Sequence, residues 1–330
     1  MTPTGGLIIS IGDPAGVGPE ITLRAMQDLT AEQRQDIVLL GARSILDRAQ
    51  DVVGSNFTLV ENTAPTKDSE LRYTPVEVPN LDAPFGQVSK SCGEASYRMI
   101  VKAVEMTTNS TSPSAIVTAP INKEALNAAG HHYDGHTGLL AHLTDARESW
   151  MLLTSEQLSV LHVSTHVSLR DAIDRATEER VFKTIFMADK HLRRIGISRP
   201  RIAVAGLNPH CGEHGLFGTE DDERLAPAVK RAQEAGITVY GPLPPDAVYR
   251  MAADGKYDLV VAQYHDQGHI PMKMIAFDTT VNVSLGLSID RTSVDHGTAF
   301  DIAGTGRADH RNMLCAIAYA RKLITRRDAA

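Results

Sequence analysis

Asp258-Leu-Val-Val-Ala-Gln-Tyr-His265-Asp266-Gln-Gly268-His-Ile-Pro271-Met-Lys273 reads as a strand that stops on chemistry. Leu259 to Ala262 is a short apolar run, the pattern of a strand buried on both faces of a parallel sheet. A cluster of polar residues follows, and Gly268 and Pro271 are expected to break the chain. In open α/β sheets ligands bind outside the carboxyl ends of the strands, so this segment points at a site. The pattern occurs twice more. Leu158-Ser-Val-Leu-His-Val-Ser-Thr-His166 ends on His166, and Arg201-Ile-Ala-Val-Ala-Gly-Leu-Asn-Pro-His210 ends on His210. Three strands that each finish on a histidine would bring three imidazoles together, and three neutral imidazoles make an open divalent-metal site. His131, His132, His142, His162, His191 and His310 show no such placement and read as structural. Cys211, beside His210, reads as a small buried loop residue rather than a soft ligand.

Outward from this stretch, strands alternate with helices, which implies a parallel sheet. Leu7 to Ile11 is a short strand leading into Gly12-Asp13-Pro-Ala-Gly16-Val-Gly18-Pro19-Glu20. Three glycines and a proline in the first helical turn make a tight loop at a helix N-terminus, where backbone can approach an anion or a dinucleotide. A plain strand-to-helix turn is the other reading, since the loop is neither a G-x-G-x-x-G fingerprint nor a P-loop. Further strands are expected at Ile37 to Leu40, Ala115 to Thr118 and Ile237 to Val239, with edge strands at Phe57 to Glu61 and Leu71 to Val78. Helices are expected at Ser89 to Met106, Thr177 to Arg194 and Asp309 to Ile324, and Ala299 to Gly304 reads as a helical turn closed by glycine. His136-Thr137-Gly138, preceded by Gly135, opens a helix and suits either a carboxylate or phosphate contact or a simple capping turn. Lys273, Arg291 and His136 are cations near glycine or proline breaks, as an anionic substrate requires; solvated surface charge is the alternative.

The chain has 330 residues, 42% hydrophobic and 22% charged, more than one core usually supports, so two lobes are expected. A net charge of -7 and a pI near 6.0 argue against a nucleic-acid or anionic-membrane partner. Met1 to Gly6 lacks a basic stretch and Leu7 to Ile11 is too short for a signal peptide, while three unpatterned cysteines suit a reducing compartment. A cytoplasmic location is therefore expected. No internal repeat is visible.

Gly12-Asp-x-x-Gly-x-Gly-Pro-Glu20 and His296-Gly-x-Ala-x-Asp301-Ile-Ala-Gly304-x-Gly306 resemble the cofactor motifs of the isocitrate and isopropylmalate dehydrogenases. Over about Leu7 to Asp309 the chain more closely resembles the 4-hydroxythreonine-4-phosphate dehydrogenase family of pyridoxal phosphate biosynthesis. Gly-Leu-Asn-Pro-His210-x-Gly-Glu213, Tyr-His265-Asp-Gln-Gly268 and Leu-Gly-Leu-x-x-x-Arg291-Thr-Ser-Val-Asp-His-Gly297-Thr carry that likeness. Thr165-His-Val-Ser-Leu169, Gln267-Gly-His-Ile-Pro271 and His136-Thr-Gly138 look more like its second branch, which acts on D-threonate or D-erythronate 4-phosphate. The vitamin-pathway branch typically has an acid after His-Thr and an apolar residue after Asp-Gln-Gly, and Cys211 stands where the family usually has alanine.

The resemblance implies two α/β/α lobes with a largely parallel sheet, isocitrate/isopropylmalate dehydrogenase-like, and an active site in the interlobe cleft. The cofactor-side lobe would be 1–130 plus about 295–330, and the substrate, metal and dimerisation lobe about 131–294. The resemblance also implies a homodimer whose active site is shared between chains, NAD as cofactor, and a divalent metal, zinc first, with magnesium, manganese or cobalt as alternatives. By motif His166, His210 and His265 would hold the metal, and His136, Thr137, Lys273, Asn282 and Arg291 the substrate. Gly12, Asp13, Gly16, His296, Gly297, Thr298, Asp301 and Gly304 would line the cofactor. The expected reaction is oxidation of a 4-phosphorylated 3-hydroxy acid followed by loss of carbon dioxide, with Asp246, Asp266 or Lys123 as the base. The competing readings are a dehydrogenase of an unphosphorylated carboxylated cis-dihydrodiol, a phosphate acyltransferase, and a non-catalytic metal-dependent anion-binding protein.

Overall fold

The computed structural model describes residues 6–327; residues 1–5, read above for a targeting segment, lie outside the described residues. The chain falls into two units, one reaching Ser149 and resuming at Leu287, the other Trp150–Gly286.

The first unit contains β1 (Leu7–Ser10), α1 (Gly18–Asp28), α2 (Ala31–Arg34), β2 (Ile37–Gly41), α3 (Arg43–Val53), β3 (Thr58–Glu61), β4 (Glu70–Pro75), α4 (Lys90–Thr108), β5 (Ala115–Thr118), α5 (Lys123–Ala128) and α6 (His136–Leu143). The second contains β6 (Trp150–Thr154), β7 (Ser159–His162), α7 (Leu169–Arg175), α8 (Glu178–Arg194), β8 (Ile202–Ala205), α9 (Ala226–Glu234), β9 (Val239–Leu243), α10 (Pro245–Ala253), β10 (Leu259–Ala262), α11 (His265–Ala276) and β11 (Val281–Leu285). The chain then returns to the first unit with β12 (Asp290–Val294) and α12 (Arg311–Arg327).

In the first unit the strands run in the order β3-β4-β2-β1-β5-β12, and each pair is parallel. β1, β2 and β5 are buried along their whole length, as strands covered on both faces must be. Burying one Val, Leu or Ile side chain contributes about 1.5–3 kcal/mol, whereas an exposed pair such as Arg43–Asp47 contributes about 0.5 kcal/mol or less, so the strand cores hold the unit. β3 is the edge strand expected; β4 lies between β3 and β2. The register pairs Ser10 with Thr118 and Thr118 with Ser293, so β1, β5 and β12 end together. The segments after them, from Gly12, Pro120 and Asp295, leave the sheet at one end.

In the second unit the order is β11-β6-β7-β10-β8-β9. β6 is antiparallel to both β7 and β11, the minority in the largely parallel sheet expected. The reason is local: Ser155–Leu158 is too short for a crossover helix, so β6 turns straight back into β7, with Ser155 N–H donating to the Leu158 carbonyl at 2.9 Å. β7, β10, β8 and β9 are parallel. Ala262 pairs with His162 and Val261 with Val204, so the strands leading to His166, His265 and His210 end side by side, with β10 in the middle. Thr177 caps α8 by accepting the Arg180 N–H at 3.2 Å, with Glu178 and Glu179 in the first turn and Arg193 and Arg194 in the last.

Two local expectations are corrected. Gly268 and Pro271 do not break the chain; α11 runs through both. A Cβ at Gly268 would lie 2.2 Å from His162 Nε2, so glycine is there to let the helix approach β7. Pro271 removes one helical donor and the helix accommodates the loss. Ala299–Gly304 is a series of turns rather than a helix, with φ +42 at Ala299 and +79 at Gly304.

Candidate active site

None of the three expected histidines is the last residue of its strand. His265 opens α11, three residues past β10; His166 lies four residues past β7, and His210 five past β8. The strand-terminal histidine is His162, which sequence reasoning set aside. It is buried, its Nδ1 donates to the Met151 carbonyl at 3.0 Å, and its Nε2 has no partner. Burial first, then the neighbouring His269, push its pKa down to about 3, so the ring is neutral. His269 packs on His162 with centroids 4.8 Å apart and stacks on His265 at 3.6 Å and 12°. The His166 and His265 rings stand 5.7 Å apart. Four imidazoles therefore cluster at the ends of β7 and β10.

His265 Nδ1 donates to Asp266 Oδ1 at 2.6 Å. A carboxylate behind one ring nitrogen fixes the tautomer and leaves Nε2 as the ligating atom, the usual support of a metal-binding histidine. His166 and His265 thus suit a divalent cation in chemistry and proximity. His210 is exposed on its own loop, its ring near Phe217 at 6.3 Å. Among the described residues no group of three or more His, Cys, Asp or Glu side chains is arranged to hold a metal, so convergence of the three expected histidines is not seen within this chain.

The first unit gathers the other motifs. Gly12 has φ +77, and a Cβ there would lie 2.3 Å from the Pro120 carbonyl oxygen. Asp13 N–H donates to that same oxygen at 2.9 Å, and Asp13 Oδ1 accepts the Ala15 N–H at 2.8 Å. Its Oδ2 is buried without a partner, and burial raises the carboxyl to about 6. Val17 N–H donates to the Thr298 carbonyl at 3.0 Å, and a Cβ at Gly16 would sit 3.0 Å from Thr298. Glu20, buried in the first turn of α1, accepts the N–H of Gly304 and, at 3.2 Å, that of Gly306. Arg48 lies over the Phe85 ring at 4.1 Å, the same ring that packs on Gly304. The two cofactor-like motifs are thereby bolted together. Among the described residues His296 Nε2 is buried without a partner, no atom beyond the adjoining residues lies within 4 Å of where a Gly297 Cβ would be, and Asp301 is exposed. The unpartnered His296 Nε2 next to the open space at Gly297 fits a polar group of a dinucleotide.

In the same unit Arg291 is buried and donates from Nε and one terminal nitrogen to Thr118 Oγ1 at 3.1 and 2.7 Å. Burial lowers its pKa to about 9. His136 is the first residue of α6, followed by Thr137; its Nε2 is buried without a partner. Burial first, then the Arg291 charge, hold its pKa well below the ordinary value, so it is a neutral donor beside a guanidinium. Lys123, exposed at the start of α5, has its Cε 3.3 Å from where a Gly135 Cβ would be. Asn282 and Lys273 belong to the second unit: Asn282 Oδ1 is buried without a partner, and Lys273 Nζ lies 5.3 Å from the Phe277 ring. Asp246 is exposed near the His210 loop, where it adds to the burial that lifts the Cys211 thiol to about 11. Asp266 is engaged by His265.

Sequence reasoning missed His162, the clamping role of Glu20, and Asp221 behind the His210 loop. Glu20 stood inside a quoted motif; Asp221 carries no sequence signal.

A family profile described as "Pyridoxal phosphate biosynthetic protein PdxA" matches residues 32–320. D-threonate 4-phosphate dehydrogenase of Salmonella typhimurium is 45% identical over 324 residues, covering 96% of this chain and 98% of that protein. A crystal structure of 4-hydroxythreonine-4-phosphate dehydrogenase from Klebsiella pneumoniae superimposes with a TM-score of 0.85 at 41% identity, covering 97% of this chain and 98% of that one. An isocitrate dehydrogenase from Methylococcus capsulatus shares the fold at 15% identity and a TM-score of 0.51, covering 99% and 87%.

Proposed function

Because the chain belongs to the pyridoxal phosphate biosynthetic protein PdxA family, we propose that this dehydrogenase oxidises the 3-hydroxyl of D-threonate or D-erythronate 4-phosphate with NAD, and that the product loses carbon dioxide. The observation that carries the reading is the end-to-end 45% identity with D-threonate 4-phosphate dehydrogenase. The Gln267-Gly-His269-Ile-Pro segment supports the same branch, and in the fold it places His269 against His265. 4-Hydroxythreonine 4-phosphate is the second candidate substrate, supported by the solved relative of that name.

Arg291 and His136 would take an anionic end of the substrate. His136, kept neutral, offers a hydrogen bond without a second positive charge, and Arg291 supplies the charge from a buried position where it is little screened. Thr137, Lys273 and Asn282 complete the proposed contacts. His166, His210 and His265 would hold the divalent cation, zinc foremost, with His210 as the third ligand and the partner chain of a homodimer completing the site. Held there, the cation would supply Lewis acidity to the substrate hydroxyl, and NAD on the cofactor side would supply the hydride acceptor. Asp266 holds the His265 tautomer, which leaves Asp246 or Lys123 to receive the hydroxyl proton. Gly12, Asp13, Gly16, His296, Gly297, Thr298, Asp301 and Gly304 would form the cofactor side. No helix among the described residues is long and apolar enough to cross a membrane, and the proposal places the enzyme in the cytoplasm.

The test is NADH absorbance and carbon dioxide release over four substrates: D-threonate, D-erythronate and 4-hydroxythreonine 4-phosphates, and an unphosphorylated carboxylated cis-dihydrodiol. Turnover greatest on a threonate or erythronate phosphate, with equal amounts of NADH and carbon dioxide, is expected. Turnover on the dihydrodiol alone, or ligand binding with no NADH, would overturn the reading.

A further inference from the structure

His210 stands on irregular backbone, and that backbone is held from behind. φ is +52 at His210, +54 at Cys211, +78 at Gly212, +45 at Glu213, +58 at His214 and +90 at Gly215. Four of these six residues carry side chains, which adopt the left-handed region only when their surroundings enforce it. The loop also folds tightly. A Cβ at Gly206 would lie 2.7 Å from Cys211 Sγ, and one at Gly212 would lie 2.5 Å from the Gly218 carbonyl oxygen.

The root of the loop, residues 205–208, is held from two sides. Asp221 is fully buried at the start of a π-helical turn, Asp221–Leu225. Its Oδ1 accepts the Leu207 N–H at 2.8 Å and its Oδ2 the Asn208 N–H at 2.9 Å. Glu220 Oε2 accepts from the Asn208 side chain at 2.8 Å. From the other side Gln267 Nε2 donates to the Gly206 carbonyl at 2.7 Å, and Gln263 Nε2 to the Ala205 carbonyl at 2.8 Å. Gln267 lies two residues beyond His265, so the root of one candidate ligand is tied to the element that carries another. Both oxygens of Asp221 are used on backbone, and neither faces a lysine or arginine in those bonds. With one N–H on each oxygen, an asparagine in this geometry would turn its own NH₂ toward one of the two donors.

We propose that Asp221 is a positioning residue of the active site, whose carboxylate fixes the Leu207–Asn208 backbone so that the His210 imidazole is presented for a divalent cation. This rests on the reading of His210 as a ligand. A carboxylate serving only the fold would lower stability when altered and leave cation binding at His210 unchanged.

Wild type, Asp221→Asn and His210→Ala are stripped with chelator and titrated with Co²⁺, following the visible d–d absorbance of imidazole-bound cobalt. Hydrogen exchange at 207–208 is read on the same samples. Asp221→Asn should exchange faster at those amides and bind Co²⁺ about 10–100-fold more weakly, with an altered spectrum, as loss of an outer support does at metal sites. Faster exchange with wild-type Co²⁺ affinity and spectrum, while His210→Ala is weakened, overturns the role of Asp221 alone. Wild-type affinity in His210→Ala overturns the ligand reading and the proposal with it. Should Asp221→Asn not fold, Glu220→Ala removes the outer bond to Asn208 together with the carboxylate's backbone bonds at 219–220 and leaves Asp221 in place; a weakening of about fivefold supports the proposal and an unchanged affinity refutes it.

Discussion

Replacing Arg291 by lysine turns a permanent charge into a titrating one. Burial brings the guanidinium from its ordinary 12.5 to about 9. The same burial acting on an ammonium, ordinarily about 10.4, would bring it to about 7. Above that pH the charged fraction falls about tenfold per unit, so at pH 9 roughly one molecule in a hundred keeps the cation. If Arg291 holds an anionic end of the substrate, kcat/KM of Arg291→Lys relative to wild type should fall about tenfold per pH unit from pH 7 to 9, chiefly through KM. Wild type should hold its charge until about pH 9. Stability gives an independent reading. The folded variant would deprotonate near 7 and the unfolded chain near 10.4, so the unfolded state binds more protons between them. Stability of the variant should therefore rise with pH across that window, by at most about 1.4 kcal/mol per unit. Steady-state kinetics in overlapping buffers and thermal melts at matched pH measure both. Parallel kcat/KM profiles for variant and wild type, with flat stability, would refute the reasoning.

Asp13 is raised to about 6 by burial, so its cost is absent below pH 3.8 and grows as pH rises through 6; Asp13→Asn should melt higher than wild type at pH 8 by up to about 3 kcal/mol of stability, with no gain at pH 4. A gain equal at both pH values would contradict this. Gly268→Ala places a Cβ 2.2 Å from His162 Nε2 and 2.8 Å from Val160, and should cost about 1–3 kcal/mol in urea denaturation, with wild-type stability the adverse result. Chelator treatment should abolish NADH formation without changing the circular dichroism, and Asp266→Ala should need about 10–100-fold more Zn²⁺ or Mn²⁺ to restore it. Full turnover after chelation would remove the metal from the proposed reaction.

The amino-acid sequence by itself determined the alternation of strand and helix and the strands that carry the candidate histidines. Leu259 to Ala262 and Ala115 to Thr118 coincide with β10 and β5, because burial on both faces leaves an unbroken apolar run. Family likeness added the residues to watch. Tertiary structure alone decided what stands behind them. Glu20 reaches Gly304 across 284 residues, and Gln267 reaches Gly206 across 61. Nothing in local pattern encodes such pairings, since a buried carboxylate or amide reads in sequence like a solvated one. His162, read from sequence as structural, proved to end β7 and to pack on His269, a placement that local pattern did not show. The left-handed backbone at His210 was equally hidden, because sequence announces that conformation through glycine, and here His210, Cys211, Glu213 and His214 adopt it on a loop whose root is bonded to Asp221 from farther along the chain.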